Sequence, residues 1–356
     1  MLLWPIGAHR YSFYARRAFQ SSRPTTNCDW IGHKGHRETR SIDGVTPDRR
    51  PEVLVASLME NGFGIIDCDP SLFIDAIDAA KEFYSLSLIN RGECLATRKT
   101  GVLGYQPSET CASNLQTIIN FPPRRLPPSR QRGYCSFDFL MDFSSTPNCP
   151  LFIENAWPAI GKTKSKATTA AKEISGYTNA LCKEVLKYLS RKMEVTSSDT
   201  SIFDASINLT RLLHYPATQR VSNTYKEHTD YEFLTFIFSD KDGLEIKDKS
   251  GRWVSVGEHQ QQIIVLPGDL MQVLTKGRIR STIHRVSQTR TERLSFVHFV
   301  GATPSFLLQL GPEFPRTFGD HLFSMLLLGA PHLQECRTEM ERSMGISVPE
   351  RNPFRK

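Results

Sequence analysis

Short runs of alternating apolar and polar residues fill the second half of the chain and predict β-strands. Turn-forming pairs such as Asp242-Gly243 and Ser250-Gly251 separate one run from the next. The predicted strands cover residues 205–214, 234–238, 243–247, 253–256, 262–267, 270–274, 282–286 and 293–300. Many short antiparallel strands with tight turns are typical of a double-stranded β-helix, a jelly roll of two facing sheets.

Helical periodicity lies on both sides of these strands. The segments that carry it are 50–62, 72–84, 164–192 and the stretch that begins after Phe306. A short apolar strand, 63–66, separates the first two helices. The tail from Glu335 is expected to be a helix followed by a disordered end. The predicted fold class is mainly β with flanking helices (α+β) around a jelly-roll core.

Composition and length agree with a globular protein that has a well-buried core. The 356 residues are enough for one large catalytic domain or two small ones, and 39% of them are hydrophobic and 23% charged. No apolar run is long enough for a membrane span. Eight scattered cysteines without a Cys-X-X-Cys pair indicate a reduced intracellular protein. The net charge of +7 is mild and indicates surface solubility, so no nucleic-acid partner is expected.

Two segments leave alternatives open. Residues 1–27 contain four arginines and no acidic residue, which is the composition of a mitochondrial transit peptide and equally of a disordered tail. The protein is therefore expected in mitochondria or otherwise in the cytoplasm. Residues 121–132 are rich in proline and arginine and predict an exposed insertion loop, with a substrate lid as the alternative.

Three side chains in the strand-rich part are candidate metal ligands. His228 and Asp230 are two residues apart, so on a strand they would point to the same side. His284, on a later predicted strand, is placed to complete the set. Two imidazoles and one carboxylate on one face of a metal ion form the ligand set of non-haem Fe(II) oxygenases. The sequence thus predicts a metal site of His228, Asp230 and His284.

A candidate carboxylate clamp follows on the last strand. Alternation over 293–300 puts Arg293, Ser295, Val297 and Phe299 on one face of that strand. Inside a barrel, Arg293 would be a buried guanidinium with no acidic neighbour on its own strand. Burying a cation without a partner is costly, so a ligand carboxylate is the expected partner, with Ser295 adding a hydrogen bond.

With these residues in order, the chain resembles the 2-oxoglutarate and Fe(II)-dependent dioxygenases of the isopenicillin N synthase-like superfamily. The resemblance covers roughly residues 50–323 and is sharp over 211–299. The motifs that carry it are Arg211-Leu-Leu-His-Tyr215-Pro216, His228-Thr-Asp230, Leu244-Glu-Ile with Gly251-Arg-Trp-Val, Pro267-Gly-Asp269, Lys276-Gly277, His284-Arg-Val and Arg293-Leu-Ser295.

The resemblance implies a chemistry and a further contact. Fe(II) would bind 2-oxoglutarate and dioxygen, and a small organic substrate would be hydroxylated, desaturated or dealkylated with release of succinate and CO2. Tyr215 matches a tyrosine that often lies beside the cosubstrate. Leu213 stands where many relatives have an asparagine that also helps to hold it, so that contact is in doubt.

The resemblance also gives domain limits and leaves alternatives. The expected parts are a disordered or targeting tail (1–45), a helical N-terminal dioxygenase region (46–160), the double-stranded β-helix domain with buttressing helices (161–330) and a C-terminal tail (331–356). Two other functions remain open. One is an iron-dependent oxidase that does not use 2-oxoglutarate, and the other is a metal-binding relative without turnover.

Overall fold

Two β-sheets form the centre of the protein, described here from a computed structural model. The structure describes residues 40–41, 50–119, 133–146, 148–217, 225–257, 259, 261–287, 291–311 and 314–355. The predictions for residues 1–27 and 121–132 therefore lie outside the described residues. Thr39–Lys356 form one compact unit, and the domain limits given above stay a prediction.

The smaller sheet has five strands in the order β1-β9-β8-β11-β6. Their bounds are β1 Arg40–Ser41, β6 Tyr225–His228, β8 Leu244–Lys247, β9 Trp253–Ser255 and β11 His284–Val286. All neighbours in this sheet are antiparallel except β1 and β9.

The larger sheet has seven strands in the order β2-β10-β7-β12-β5-β4-β3, all antiparallel. Their bounds are β2 Gly64–Asp67, β3 Gly104–Gln106, β4 Cys135–Leu140, β5 Asn208–Tyr215, β7 Leu234–Ser239, β10 Gln262–Pro267 and β12 Arg293–Val300. A jelly roll with flanking helices, the predicted fold class, is confirmed.

Helices cover the outer face of the larger sheet. The helices are α1 Pro51–Asn61, α2 Pro70–Ser85, α3 Leu88–Gly92, α4 Glu109–Ile119, α5 Thr163–Lys192, α6 Asp269–Leu274, α7 Phe318–Gly329 and α8 Arg337–Met344, with 3-10 turns at Thr200–Phe203 and Pro331–Cys336. Helix α5 contacts α1, α2 and β12 through a stripe of small and aliphatic residues that includes Ala167, Ile174 and Leu181. Among the helices that the structure describes, none is both long and apolar enough to cross a membrane.

Strand β12 illustrates how the alternating pattern positions the site. Every residue of β12 is buried because the strand is covered on both faces. One face, with Arg293 and Ser295, lines a cavity between the two sheets, while α2 and α5 pack against the strand from outside. His298 was predicted to pack in the outer layer rather than bind metal, and it is fully buried there, with Nδ1 3.0 Å from the Thr210 hydroxyl.

Two predictions about elements are wrong. Residues 270–274 form part of helix α6 rather than a strand. The run is too short for its periodicity to distinguish a helix from a strand. Its Leu, Met and Gln residues favour a helix, whereas strands favour β-branched residues. The end of the chain is not disordered over 345–355: Phe354 is buried, and Asn352 donates hydrogen bonds to Asp269 and Thr229.

Candidate active site

The two histidines predicted as metal ligands face each other across a strand pair. His228 ends β6, and His284 begins β11, which pairs antiparallel to β6 with these two residues in register. Their ring centroids are 4.2 Å apart. The sequence separation of the two residues is long, so the pairing of β6 with β11 is what brings them together.

Backbone carbonyls orient both imidazoles in the same way. Nδ1 of His228 lies 2.9 Å from the Lys226 carbonyl oxygen, and Nδ1 of His284 lies 2.9 Å from the Thr282 carbonyl oxygen. A carbonyl oxygen only accepts, so each Nδ1 carries the proton and donates it. Each Nε2 therefore has a lone pair available, which is the tautomer needed by a metal ligand.

Asp230 lies opposite these two Nε2 atoms. Its carboxylate oxygens are 3.6 Å from Nε2 of His228 and 3.8 Å from Nε2 of His284. The Thr235 hydroxyl donates a 2.6 Å hydrogen bond to Oδ2 of Asp230 and fixes the plane of the carboxylate. Ligand atoms of His228, Asp230 and His284 all lie within 4.8 Å of one another, and in the described part of the chain they are the one such group that could hold a metal ion.

The electrostatics at His228 keep its imidazole neutral. Burial, with a smaller contribution from the neighbouring His284, lowers the pKa of His228 to about 3, although the Asp230 carboxylate acts in the opposite direction. The protein thus disfavours a positive charge on the His228 imidazole itself. A neutral imidazole is the form that binds metal ions.

Arg293 lies in the same cavity as these three residues. The cavity encloses about 410 Å³ between the two sheets, and its lining includes His228, Asp230, His284, Arg293 and Ser295. Arg293 is 2% exposed, and burial lowers the pKa of its guanidinium. Its Nε donates to the Lys241 carbonyl oxygen at 3.2 Å. Of the carboxylates on described residues, none forms an ion pair with Arg293, although Asp240 and Asp242 are near enough to influence its pKa.

Tyr215 and Ser295, the other predicted cosubstrate contacts, adjoin Arg293. Tyr215 is opposite Arg293 in the β5–β12 pair, with the guanidinium carbon 4.9 Å from the centre of its ring. The Ser295 hydroxyl lies 3.2 Å from the Ser239 hydroxyl. Leu213 is opposite Ser295 and presents an apolar side chain to the cavity. The structure thus brings all six predicted site residues to one cavity.

A second cavity adjoins two of the three candidate ligands, His228 and Asp230, from another side. It encloses about 630 Å³ of space, part of which is open to solvent. His228, Asp230, Arg211 and Phe299 line both cavities. The candidate metal site therefore stands where two chambers meet.

Sequence reasoning missed the residues that orient the ligands and those that line the second cavity. Thr235, Lys226 and Thr282 carry no motif of their own, and two of them act through backbone oxygens. Asp138 lies on β4, which was not predicted as a strand. Its partner Arg211 is part of a recognised motif, but the pairing of the two depends on the contact between β4 and β5.

Comparisons with known sequences agree with the motifs. A model of the 2OG-Fe(II) oxygenase superfamily matches residues 206–302. Gibberellin 2-beta-dioxygenase 3 of Arabidopsis thaliana is 35% identical over 119 residues, which are 32% of this chain and 33% of that protein. The 2-oxoglutarate-dependent dioxygenase citB of Monascus ruber is 26% identical over 265 residues, which are 70% of this chain and 75% of that protein.

Solved structures share the fold. A full-length protein of Neurospora crassa, in complex with alpha-KG and thymine, matches with a TM-score of 0.63 at 18% identity, covering 79% of this chain and 91% of that one. The dioxygenase for auxin oxidation in rice matches with a TM-score of 0.53 at 18% identity, covering 85% of this chain and 92% of that one. The family model, in agreement with the ordered motifs, thus identifies residues 206–302 as a domain of the 2OG-Fe(II) oxygenase superfamily, and the solved structures show that most of the chain shares their fold.

Proposed function

We propose that this protein is an Fe(II)- and 2-oxoglutarate-dependent oxygenase that oxidises a small organic molecule with dioxygen. The observation that carries the proposal is the shared cavity, which has two histidines and an aspartate at one place and a carboxylate-binding arginine at another. The reaction would be a hydroxylation, desaturation or dealkylation that converts 2-oxoglutarate to succinate and CO2.

His228, Asp230 and His284 are the proposed iron ligands, and their donor set fits Fe(II). Two neutral imidazoles and one carboxylate suit a divalent first-row metal and leave further coordination positions for other ligands. The Nδ1–carbonyl hydrogen bonds direct both Nε2 lone pairs toward one region beside Asp230. When bound, iron would supply the oxidising chemistry, and the protein holds the reactants and excludes water.

Arg293 is the proposed partner of the distant carboxylate of 2-oxoglutarate. Its guanidinium is buried beside the Lys241 carbonyl and Tyr215, and it forms no ion pair with a carboxylate of the described residues. A carboxylate would provide such a partner through charge-assisted hydrogen bonds, to which the Ser295 hydroxyl can add one. Tyr215 would shield this contact from water.

The second cavity is the proposed substrate chamber. Like the first cavity it is partly open to solvent, it is lined by His228 and Asp230, and its lining does not include Arg293 or Ser295. A substrate there would lie beside the metal while 2-oxoglutarate occupies the first cavity. The apolar part of its wall includes Leu209, Phe299 and Leu326.

The test is the formation of succinate from labelled 2-oxoglutarate, with and without added Fe(II), over a panel of small metabolites. We expect iron-dependent succinate formation that one class of metabolite stimulates, and its absence in the Asp230→Ala variant. The exposed Asp75 provides a matched control, because Asp75→Ala should behave as the wild type. Dioxygen consumption without succinate would favour the oxidase alternative, and iron binding without any turnover would favour a non-catalytic relative.

The location of the protein belongs to the same proposal. The arginine-rich, acid-free composition of residues 1–27 is compatible with import into mitochondria or with a cytoplasmic protein. A fusion of these residues to a fluorescent protein distinguishes mitochondrial import from a cytoplasmic location. It is compared with the same fusion in which four residues are replaced by Ala: Arg10, Arg16, Arg17 and Arg23. Mitochondrial fluorescence that depends on the arginines would establish import.

A further inference from the structure

The half-buried Arg211 and the buried Arg293 line the connected cavities, and their partners differ. Arg211, on β5, faces Asp138 across the β4–β5 pair. Its Nε lies 2.7 Å from Oδ1 and its Nη2 2.8 Å from Oδ2, so the guanidinium and the carboxylate form a bidentate pair. Asp138 is 1% exposed. The positive charge at this point of the substrate chamber is therefore neutralised by the protein itself.

Arg293 presents the opposite case. Within the part of the chain that the structure describes, no carboxylate forms an ion pair with its guanidinium, which contacts a backbone carbonyl and an aromatic ring. Arg211 lines both cavities, whereas Arg293 lines the first cavity only. The charge of Arg211 is balanced by Asp138, whereas the guanidinium of Arg293 has no ion pair with a carboxylate of the described residues.

The remaining charged groups of the substrate chamber are also unsuitable for an acid. Besides the candidate metal ligands, the charged groups that described residues contribute to the lining are the carboxyl groups of Asp138 and Glu232 and the guanidinium of Arg211. Gln106 adds an amide, whose Nε2 lies 3.4 Å from Oδ2 of Asp138. A carboxylate placed here would lose its hydration without gaining an unpaired cationic side chain among the described lining residues, which is unfavourable.

We infer that the substrate enters this chamber with an uncharged, hydrogen-bonding group, such as an amide, lactam or hydroxyl, and not with a carboxylate. This inference rests on the proposed function, because it takes the second cavity as the substrate chamber. The polar group lies against Arg211, Asp138 and Gln106, and the apolar remainder lies against Leu209, Phe299 and Leu326. Asp138 determines this selectivity, because its carboxylate pairs with the Arg211 guanidinium and so prevents Arg211 from binding the carboxylate of a substrate.

The experiment compares benzamide with benzoate, which share size and planarity and differ in charge. Binding is measured by calorimetry on the full chain loaded with Mn(II) and 2-oxoglutarate, so that no turnover occurs and Arg293 is engaged. The wild type should bind benzamide at least ~10-fold more tightly than benzoate, a difference of about 1.4 kcal/mol. In Asp138→Asn, which keeps the shape and removes the charge, benzoate should gain ~10-fold or more.

Asp142→Asn is the matched control, because Asp142 follows β4 and is exposed to solvent. This variant should leave both affinities as in the wild type. Equal binding of benzoate and benzamide to the wild type would overturn the inference. An Asp138→Asn variant that does not gain affinity for benzoate would overturn it as well, including the case in which neither probe binds.

The binding of 2-oxoglutarate in the same calorimeter separates this inference from the proposed function. If 2-oxoglutarate does not bind to the Mn(II) form, the proposed cosubstrate role of Arg293 fails, while the benzamide and benzoate affinities still report on the second cavity. If 2-oxoglutarate binds and benzoate is preferred, the oxygenase proposal stands and the neutral-substrate inference fails.

Discussion

Single hydrogen bonds fix the orientation of the proposed ligand side chains. Asp230 has freedom to rotate about its side-chain bonds, and the Thr235 hydroxyl restricts it by donating to Oδ2. Groups that hold ligands in this way typically contribute about 10-fold to 100-fold to metal affinity. A threonine on a strand is too common for the sequence to mark it as functional, so this contact is visible only in the structure.

Replacement of Thr235 by Val should weaken metal binding and leave the fold intact. Valine has the same shape and lacks the donor, so Asp230 loses its orienting contact. We expect the Mn(II) dissociation constant to rise by ~10-fold to 100-fold, measured by calorimetry on the metal-free protein. Thr235→Ser retains a hydroxyl and should recover most of the affinity. Unchanged binding by Thr235→Val would show that Asp230 needs no such support.

Replacement of Arg293 by Leu should abolish useful binding of 2-oxoglutarate. The loss of a buried charge-assisted contact costs about 2–5 kcal/mol, which is ~30-fold or more in the dissociation constant. Arg293→Lys should recover part of it, since an ammonium keeps the charge and loses the planar bidentate geometry. The affinity for 2-oxoglutarate is measured by calorimetry in the presence of Mn(II).

Metal affinity is the internal control for Arg293. Because Arg293 is not among the proposed ligands, Mn(II) should bind to Arg293→Leu as to the wild type. A variant that retains the wild-type affinity for 2-oxoglutarate would refute the carboxylate clamp. A variant that loses Mn(II) as well would point to a wider structural change.

Among the secondary-structure elements, the sequence predicted those whose pattern is local. Strand β12 and helices α1, α2 and α5 were found from the spacing of their apolar residues, within a few residues of the observed bounds. The strand that carries His284 was predicted, whereas β6, which ends at His228, was not among the predicted strands, and Asp230 lies beyond its end. Helix α6 was taken for a strand, because six residues do not reveal a period.

Long-range contacts explain what the sequence did not predict. The second cavity depends on β4 and on the pairing of that strand with β5. Neither the pairing nor the ion pair between Asp138 and Arg211 is encoded in any short window of sequence. The same holds for the end of the chain, whose charged composition is typical of a disordered tail.

The C-terminal segment is an element that supports the candidate metal site. Asn352 donates to the Thr229 hydroxyl and to the buried carboxylate of Asp269. Thr229 lies between two of the proposed ligands, and the backbone N–H of Asp269 donates to the Asp230 carbonyl oxygen. The Phe354 ring stacks on Phe314 at 5.6 Å. The C-terminal segment thus connects the loop that holds Thr229 and Asp230 to the segment that precedes α7.

Asn352→Ala should therefore destabilise the protein and weaken metal binding together. A buried carboxylate that loses a donor costs about 1–3 kcal/mol in the free energy of unfolding, measured by urea denaturation. The Mn(II) affinity should fall by ~10-fold. This is the low end of the range for residues that orient metal ligands, because Asn352 acts on them indirectly. Asn114→Ala, on an exposed face of α4, is the matched control and should change neither quantity. An Asn352→Ala variant that is less stable but binds Mn(II) as the wild type does would show that the C-terminal segment does not support the metal site.

The protein as a whole should lose stability in weak acid, partly through a histidine far from the proposed chemistry. Burial lowers the pKa of His298 to about 3, against an ordinary value of 6.5. The unfolded chain takes up a proton below pH 6.5, whereas the folded protein resists it until about pH 3. Protons therefore favour the unfolded state in this window, and the stability that His298 contributes at neutral pH is lost as the pH falls.

His298→Gln should make the pH dependence of unfolding less steep. Glutamine keeps a polar partner for the Thr210 hydroxyl and has no titratable group. Below pH 6.5, the free energy of unfolding of the wild type should fall by up to about 1.4 kcal/mol per pH unit more than that of the variant. Urea denaturation of the metal-free protein at several pH values from about 7 to about 5 measures this difference, because every other titrating group is common to both proteins. Parallel curves for the two proteins would mean that His298 takes up its proton in the folded state, and that the layer between β12 and the outer helices admits a charge.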